Sequence, residues 1–262
     1  NAATGGGGGL TLINPRGGIQ INNTRFESNA SREAAALYGE FDTAASIRLN
    51  QVSLIENAVQ WGDVVALQAY GGGSTDLSIE NLLIAGTSVT ASVPSQGLIR
   101  GVVGYVNGSE LRVNAAHVTA TANEGLALLE VQAVTNTTTS GAFVGAFTNT
   151  LVTGLPALFI PVQAAPSTIT IQASHTLTEG VPALTIGAVG TASITLNNSV
   201  NGPALLGGDY RPLASSTAID AGLDLGVTHD VSGAARVGLP DIGALETNAP
   251  PPKKLYLPLL RR

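Results

Sequence analysis

The chemical stock of this 262-residue chain is 18 Asp and Glu, 12 Lys and Arg, three His and no Cys. Acid–base work on a polysaccharide needs two carboxylates held close together, or a Ca²⁺-binding carboxylate cluster beside a basic residue. No Asp-Asp or Glu-Glu dipeptide occurs, and Asp42, Asp63 and Asp76 are scattered, at places that do not correspond from one repeat to the next. His117, His175 and His229 lack the spacing of a metal motif such as HExxH, and read as outward or corner residues. The run Gly5–Gly9 precedes a strand pattern and lacks the Lys-Ser/Thr of a phosphate loop. Without Cys there is no disulfide and no thiolate metal site. Trp61, the single tryptophan, stands beside Gly62-Asp63 as a candidate platform for a sugar ring, although a lone Trp is more often packing. The expectation is a protein with no catalytic residue, no metal and no cofactor.

The composition narrows the class. The formal charge is −6 and the isoelectric point about 5.0, so no basic footprint exists to neutralise nucleic-acid phosphates. Charged residues are 11% and hydrophobic residues 44%, which excludes charge-rich disorder. Gly, Thr, Ser, Asn and Val outweigh good helix formers, which argues against a helical bundle. No apolar run approaches the roughly 18 residues of a membrane span. The chain has no Met and opens on the small polar residues Asn1-Ala2-Ala3-Thr4. It therefore reads as a processed segment of a longer precursor, extracellular or at a cell surface.

What remains is a repeat. Apolar pairs spaced by one residue recur as Ile19/Ile21, Ile47/Leu49, Leu77/Ile79, Leu111/Val113, Ile169/Ile171 and Ile194/Leu196, with a further copy from Val144. The starts are separated by 28, 30, 34, 33, 25 and 25 residues. A second word follows the first: GLPALFI at Gly154–Ile160, GVPALTI at Gly180–Ile186 and NGPALLG at Asn201–Gly207. Alternation at a period of two places apolar groups on one face of a strand, and Gly, Asn, Ser and Thr clusters punctuate the strands as turns do. Two words recurring in order suggest coils of a parallel β-solenoid, in which like aliphatic side chains stack in ladders; a β-sandwich has no reason to repeat them. Asn23, Gln51, Asn81 and Asn198 fall at matching places. They are either an Asn/Gln ladder bonded from coil to coil or surface turns favouring Asn for its backbone angles.

The last sixty residues are more specific. Tyr210–Gly222 reads YRPLASSTAIDAG and Asp230–Glu246 reads DVSGAARVGLPDIGALE. This pairing resembles the C-terminal module of secreted bacterial right-handed parallel β-helix proteins of the choice-of-anchor type. The matching positions are Leu213, Ser216 (one place off the usual spacing), Ala218–Gly222, Asp230, Gly233, Arg236, Asp241–Ala244 and Glu246. The resemblance implies an all-β, right-handed, single-stranded parallel β-helix of about seven to nine coils over residues 1–208. It implies a capping segment over 209–247 built on Asp220, Asp230, Arg236, Asp241 and Glu246. Arg236 is expected to pair with Asp220, Asp230 or Asp241 and to close the last coil.

Residues 248–262 change character. Pro250-Pro251-Pro252 is a stiff extended spacer, followed by Lys253-Lys254, the apolar Leu255, Tyr256, Leu257, Leu259 and Leu260, and Arg261-Arg262. This tail is similar to those of surface proteins from filamentous, Chloroflexus-like bacteria. An extended apolar segment can add to a neighbouring subunit. The functional expectation is a non-enzymatic structural protein. It associates with copies of itself head to tail, through uncovered solenoid ends and the tail, into a surface filament or sheath. The alternatives are a monomeric adhesin binding cell-surface polysaccharide and, further off, a polysaccharide lyase or hydrolase.

Overall fold

Wherever the period of two occurs, the chain is extended and pairs with the repeat before and after it. The computed structural model describes residues 2–3, 7–89, 97–124, 127–133, 139–163, 167–181 and 192–247. All strand pairing between repeats is parallel, and no helix occurs among the described residues. Three sheets run along the molecule. The long sheet holds seven strands: Gly17–Glu27, Ala45–Ile55, Gly73–Ala85, Ser109–Thr121, Gly141–Thr153, Thr168–Glu179 and Ala192–Asn197. A six-stranded sheet is built from Leu10–Ile13, Ala34–Phe41, Asp63–Ala69, Gly97–Val103, Ala127–Ala133 and Ala157–Gln163. Two-residue strands at Ala2–Ala3, Ala30–Ser31, Ala58–Val59 and Ser88–Val89 form the third. The result is a parallel β-solenoid of about five turns.

The columns run through the core. Ile47, Leu77, Val113 and Ile171 stack on one level, and Leu49, Ile79, Ala115, Phe147 and Ala173 on the next, all buried. The register corrects the spacing read from sequence. Leu77 pairs with Val113, not Leu111, and the rungs are separated by 28, 30, 36, 32, 26 and 23 residues. A slip of two keeps every side chain on its own face, so periodicity cannot detect it. The repeat taken to begin at Val144 is off by one: Val144 points outward, while Phe143 and Phe147 fill the core.

Six of the seven long strands are bent by one residue with positive φ, Asn23, Gln51, Asn81, His117, Asn149 and His175, and Asn198 continues the column directly after the seventh, all at φ between 49° and 60°. This residue is skipped by the pairing on either side. Beyond the bend both faces of the inner strands, Ala45–Ile55 to Gly141–Thr153, are largely buried. Val52, Leu54, Leu82 and Ile84 enter the core, while Ile55, Leu83, Leu151 and Leu177 face the other way and are covered as well. That explains continuous apolar runs such as NLLIA, where a half-buried strand would alternate.

The cover is the C-terminal segment. The third copy of the second word, NGPALLG, forms no coil strand; Leu206 instead bridges antiparallel to Pro212. From Val200 the chain crosses onto the flank of the solenoid and runs back along it to Thr247, as a strap. The segment expected to close the end of the last coil therefore lies against the side of several coils. Ala204, Ala218 and Ile242 pack on Leu151 and Leu177, and Ala244 and Leu245 pack on Ile55, Leu83 and Ala85. Gly243 (φ +117°) lies so close to the strand below that a Cβ would stand 2.6 Å from Thr119 Oγ1, which fixes glycine in the D-I-G-A motif.

Candidate functional site

The five residues expected in the cap meet in the strap, and their bonds are internal to it or directed at the bend column. Asp230 accepts hydrogen bonds from the amides of Ser232, Ala234 and Glu246, from Ser232 Oγ and from Arg211 Nη1 (2.9 Å). Burial pushes its carboxyl upward, but Ser232, the Glu246 amide, Arg211 and the Ala234 amide together hold it below the ordinary value. Asp241 accepts the amides of Asp220 (2.9 Å) and Thr247 (2.7 Å), yet burial lifts it to about 6. Asp220 itself is exposed.

Arg236 pairs with none of the three aspartates. Its Nη1 donates to Glu246 Oε2 at 2.8 Å, both side chains buried, while Nη2 donates to the Gly243 carbonyl and to Asn81 Oδ1. Burial draws the guanidinium below its usual value, with Glu246 opposing. Asp230 is served instead by Arg211, which the sequence did not mark. Asp209, just before the motif, meets the same guanidinium at 3.3 Å.

The bend column holds the strap in place. Gln51 Nε2 donates to the Asp230 carbonyl (2.9 Å) and Asn81 Nδ2 to the His229 carbonyl (2.9 Å). Asn149 donates to the Leu223 carbonyl and accepts its amide. His117, fully buried, lies 3.2 Å from Asn149 Nδ2 and against the backbone of Gly243 and Asp241. Burial, then Arg236, lowers its pKa to about 3, so the ring stays neutral. Asn23, Gln51, Asn81 and Asn198 thus share the turn conformation, and the bonds of Gln51 and Asn81 go sideways to the strap. The column also includes His117 and His175, expected as outward or corner residues and found at the corner with His117 buried, and Asn149, which the sequence reading did not mark.

An amide ladder does exist, one corner further on. A second positive-φ column comprises Ser28, Glu56, Gly86, Ala122, Gly154 and Gly180. The residues after its first four members are Asn29, Asn57, Thr87 and Asn123, all buried. Asn57 Oδ1 accepts from Asn29 N and Nδ2 at 3.1 Å, its Nδ2 donates to the Phe26 carbonyl, and Asn123 repeats the pattern with Thr87 N and the Ile84 carbonyl.

A polar cluster decorates the outer face of the six-stranded sheet. Tyr38 Oη donates to Glu40 (2.5 Å), Gln68 donates to Tyr38, Tyr70 donates to Gln68, and the rings of Tyr70 and Tyr105 lie 4.5 Å apart. Beside them Arg100 Nε stands 3.1 Å from buried Asp63. Burial raises the Asp63 carboxyl well above its ordinary value, Arg100 pulls it back, and Glu130 adds to the rise. Trp61 is 42% exposed, but the Arg32 guanidinium covers one ring face at 3.7 Å. Among the described residues no group of three His, Asp or Glu could hold a metal ion, and no helix is long and apolar enough to cross a membrane. The tail residues Leu255, Tyr256, Leu257, Leu259 and Leu260 lie outside the described residues.

These features define a class, an all-β parallel solenoid with a lateral strap. Comparison adds nothing to it: no family model, no curated protein and no solved structure matches the chain.

Proposed function

We propose that this is a right-handed, single-stranded parallel β-helix of seven to nine coils. In this reading it is an extracellular structural protein, processed from a longer precursor, that stacks on copies of itself into a surface filament or sheath. The choice-of-anchor type of C-terminal module and the surface-protein tail belong to the same reading. The carrying observation is that the core columns reach both sheet edges partly uncovered. Ile19 at one edge strand and Ile194 and Leu196 at the other are only partly buried, though packed against the core. In a stack, Ile194 would continue the column into Ile19 of the next copy and Leu196 into Ile21, while edge N–H and C=O groups pair across the junction. Electron microscopy and fibre diffraction of the concentrated protein test this. Filaments with a roughly 4.8 Å repeat along the axis, abolished by Ile194→Lys with Leu196→Lys, are expected; uniformly dispersed monomers would overturn it.

A second reading, polysaccharide binding, draws on the Tyr70–Tyr105 pair with Glu40, Gln68 and Arg100. Tyr105 is 43% exposed and offers a ring face next to hydrogen-bonding groups. A glycan array in which reproducible binding is lost on Tyr105→Ala would support it.

A further inference from the structure

The strap covers the solenoid but leaves its own outer side apolar. Val237 is 69% exposed, Leu239 57%, and Leu223 and Leu225 42% each. These four form one patch. The Gly222 amide donates to the Pro240 carbonyl (2.8 Å) and the Arg236 amide to the Thr228 carbonyl (2.9 Å), so stretches 222–228 and 236–240 run side by side. Carboxylates border the patch: Asp224 stands between Leu223 and Leu225, exposed, and Asp220 Oδ1 is 3.4 Å from the position a Cβ would take on Gly238.

The chain itself carries a segment of matching chemistry. Leu255, Tyr256, Leu257, Leu259 and Leu260 are flanked by Lys253-Lys254 and Arg261-Arg262, an apolar centre between two basic pairs. This segment departs from a point next to the patch, because the Thr247 amide is held by Asp241 at 2.7 Å, two residues from Leu239. Seven residues separate Thr247 from Leu255, and three of them are Pro250–Pro252. Fully extended, that length of chain reaches at most on the order of 25 Å from its exit. That reach is enough to bring the apolar segment to the same patch on an adjoining copy in a self-associated state.

We infer that the face formed by Leu223, Leu225, Val237 and Leu239 is the seat for the C-terminal segment 255–260 of a second copy. Asp220 and Asp224 there face its basic flanks. The inference rests on the self-association reading and adds a lateral, tail-mediated contact to the end-to-end one. An exchanged tail links copies without requiring that their ends meet, so it could join neighbouring filaments side by side.

The chain has no Cys, so introduced thiols report unambiguously. Full-length Val237→Cys and full-length Leu257→Cys are prepared separately, mixed and oxidised mildly. A disulfide-linked heterodimer is expected, formed at least tenfold faster than the same mixture yields when Leu239→Asp is added to the first partner. Val237 and Leu239 are exposed, so these variants are expected to keep the parent melting temperature; a change in it would direct the same test to Leu225→Cys. No heterodimer above the Leu239→Asp background overturns the proposal. A double variant, Val237→Cys with Leu257→Cys, that closes only on itself as a monomer also overturns it in favour of an own-chain tail. Repeating the mixture with Ile194→Lys separates the two contacts. Cross-linking that persists while filaments vanish keeps the tail seat and isolates the end contact, whereas filaments without cross-linking sink the tail seat alone.

Discussion

The two positive-φ columns meet the same backbone demand and put their side chains to different use. At the first, from Asn23 to Asn198, seven rungs contain no glycine, and Gln51, Asn81, His117 and Asn149 reach sideways to hold a segment more than 70 residues away in sequence. At the second, three of six rungs are glycine, and the bonding is done by the residues that follow, Asn29, Asn57 and Asn123, along the solenoid axis. The second corner is finished by its neighbours in the stack; the first is finished by a distant segment of the same chain. A left-handed corner that avoids glycine is therefore a sign that its side chains are engaged elsewhere.

The largest expected break is at the first corner. Arg236→Ala leaves Glu246 buried without its partner and frees Asn81 Oδ1, a loss of about 3–5 kcal/mol to the strap. The solenoid core does not depend on this pair. Limited proteolysis should cut within 203–247 while the coils stay protected; a variant in which strap and coils melt together as before would refute the separation.

Acid should act on the same corner with two opposing signs. The folded pKa of His117, about 3, lies below its ordinary 6.5. Stability from the neutral ring is complete above 6.5 and is lost as pH falls toward 3. The folded pKa of Asp241, about 6, lies above its ordinary 3.8, so its contribution is complete below 3.8 and is lost as pH rises through 6. From pH 7 to 5 the histidine removes about 2 kcal/mol and the aspartate restores about 1. His117→Gln, a side chain this column already accepts at Gln51, should reverse the net sign, so that the strap tightens on acidification. Hydrogen exchange across 218–247 at the two pH values measures it, and an unchanged sign would show that His117 is not the sensor.

At the second corner, Asn57→Ala removes the acceptor for both Asn29 donors and the donor to the Phe26 carbonyl, costing about 1–3 kcal/mol. Here the coils and not the strap should lose protection, the reverse of the Arg236 variant.

These contrasts also mark what was legible in the sequence. Ile47/Leu49 and Leu77/Ile79 declared parallel coils through their period, because burial of one strand face is a local property. The Leu111 offset escaped, since a two-residue slip preserves that face. The strap's motif was visible as a chain of residues, but its seat was not, because Gln51–Asp230 and Asn81–Arg236 are 179 and 155 residues apart and no local pattern records such pairs. A signal for it was present in the unbroken apolar run NLLIA and its relatives, where loss of alternation meant that something covers the outer face. Asn29-Ala30-Ser31 has the form of an N-x-S sequon, yet the Asn29 side-chain amide is buried in the ladder.

The smallest effect is the sharpest comparison. Glu56 and Gln51 both sit at φ +55° or slightly less, in the same coil, one in each column. Glycine relieves a left-handed strain of roughly 1–2 kcal/mol but adds about 0.5–1 kcal/mol of lost chain freedom. Glu56 is exposed and its column already uses glycine at the next rung, Gly86, so Glu56→Gly should stabilise by about 0.5 kcal/mol. Gln51→Gly gains the same relief and loses the bond to the Asp230 carbonyl, worth about 0.5–1.5 kcal/mol. The pair should therefore differ by about 1 kcal/mol in urea unfolding, with the deficit confined to exchange near 229–233. Equal values would mean that the side chains of the first column are spectators, and that the strap is held by Arg236 and its apolar contacts alone.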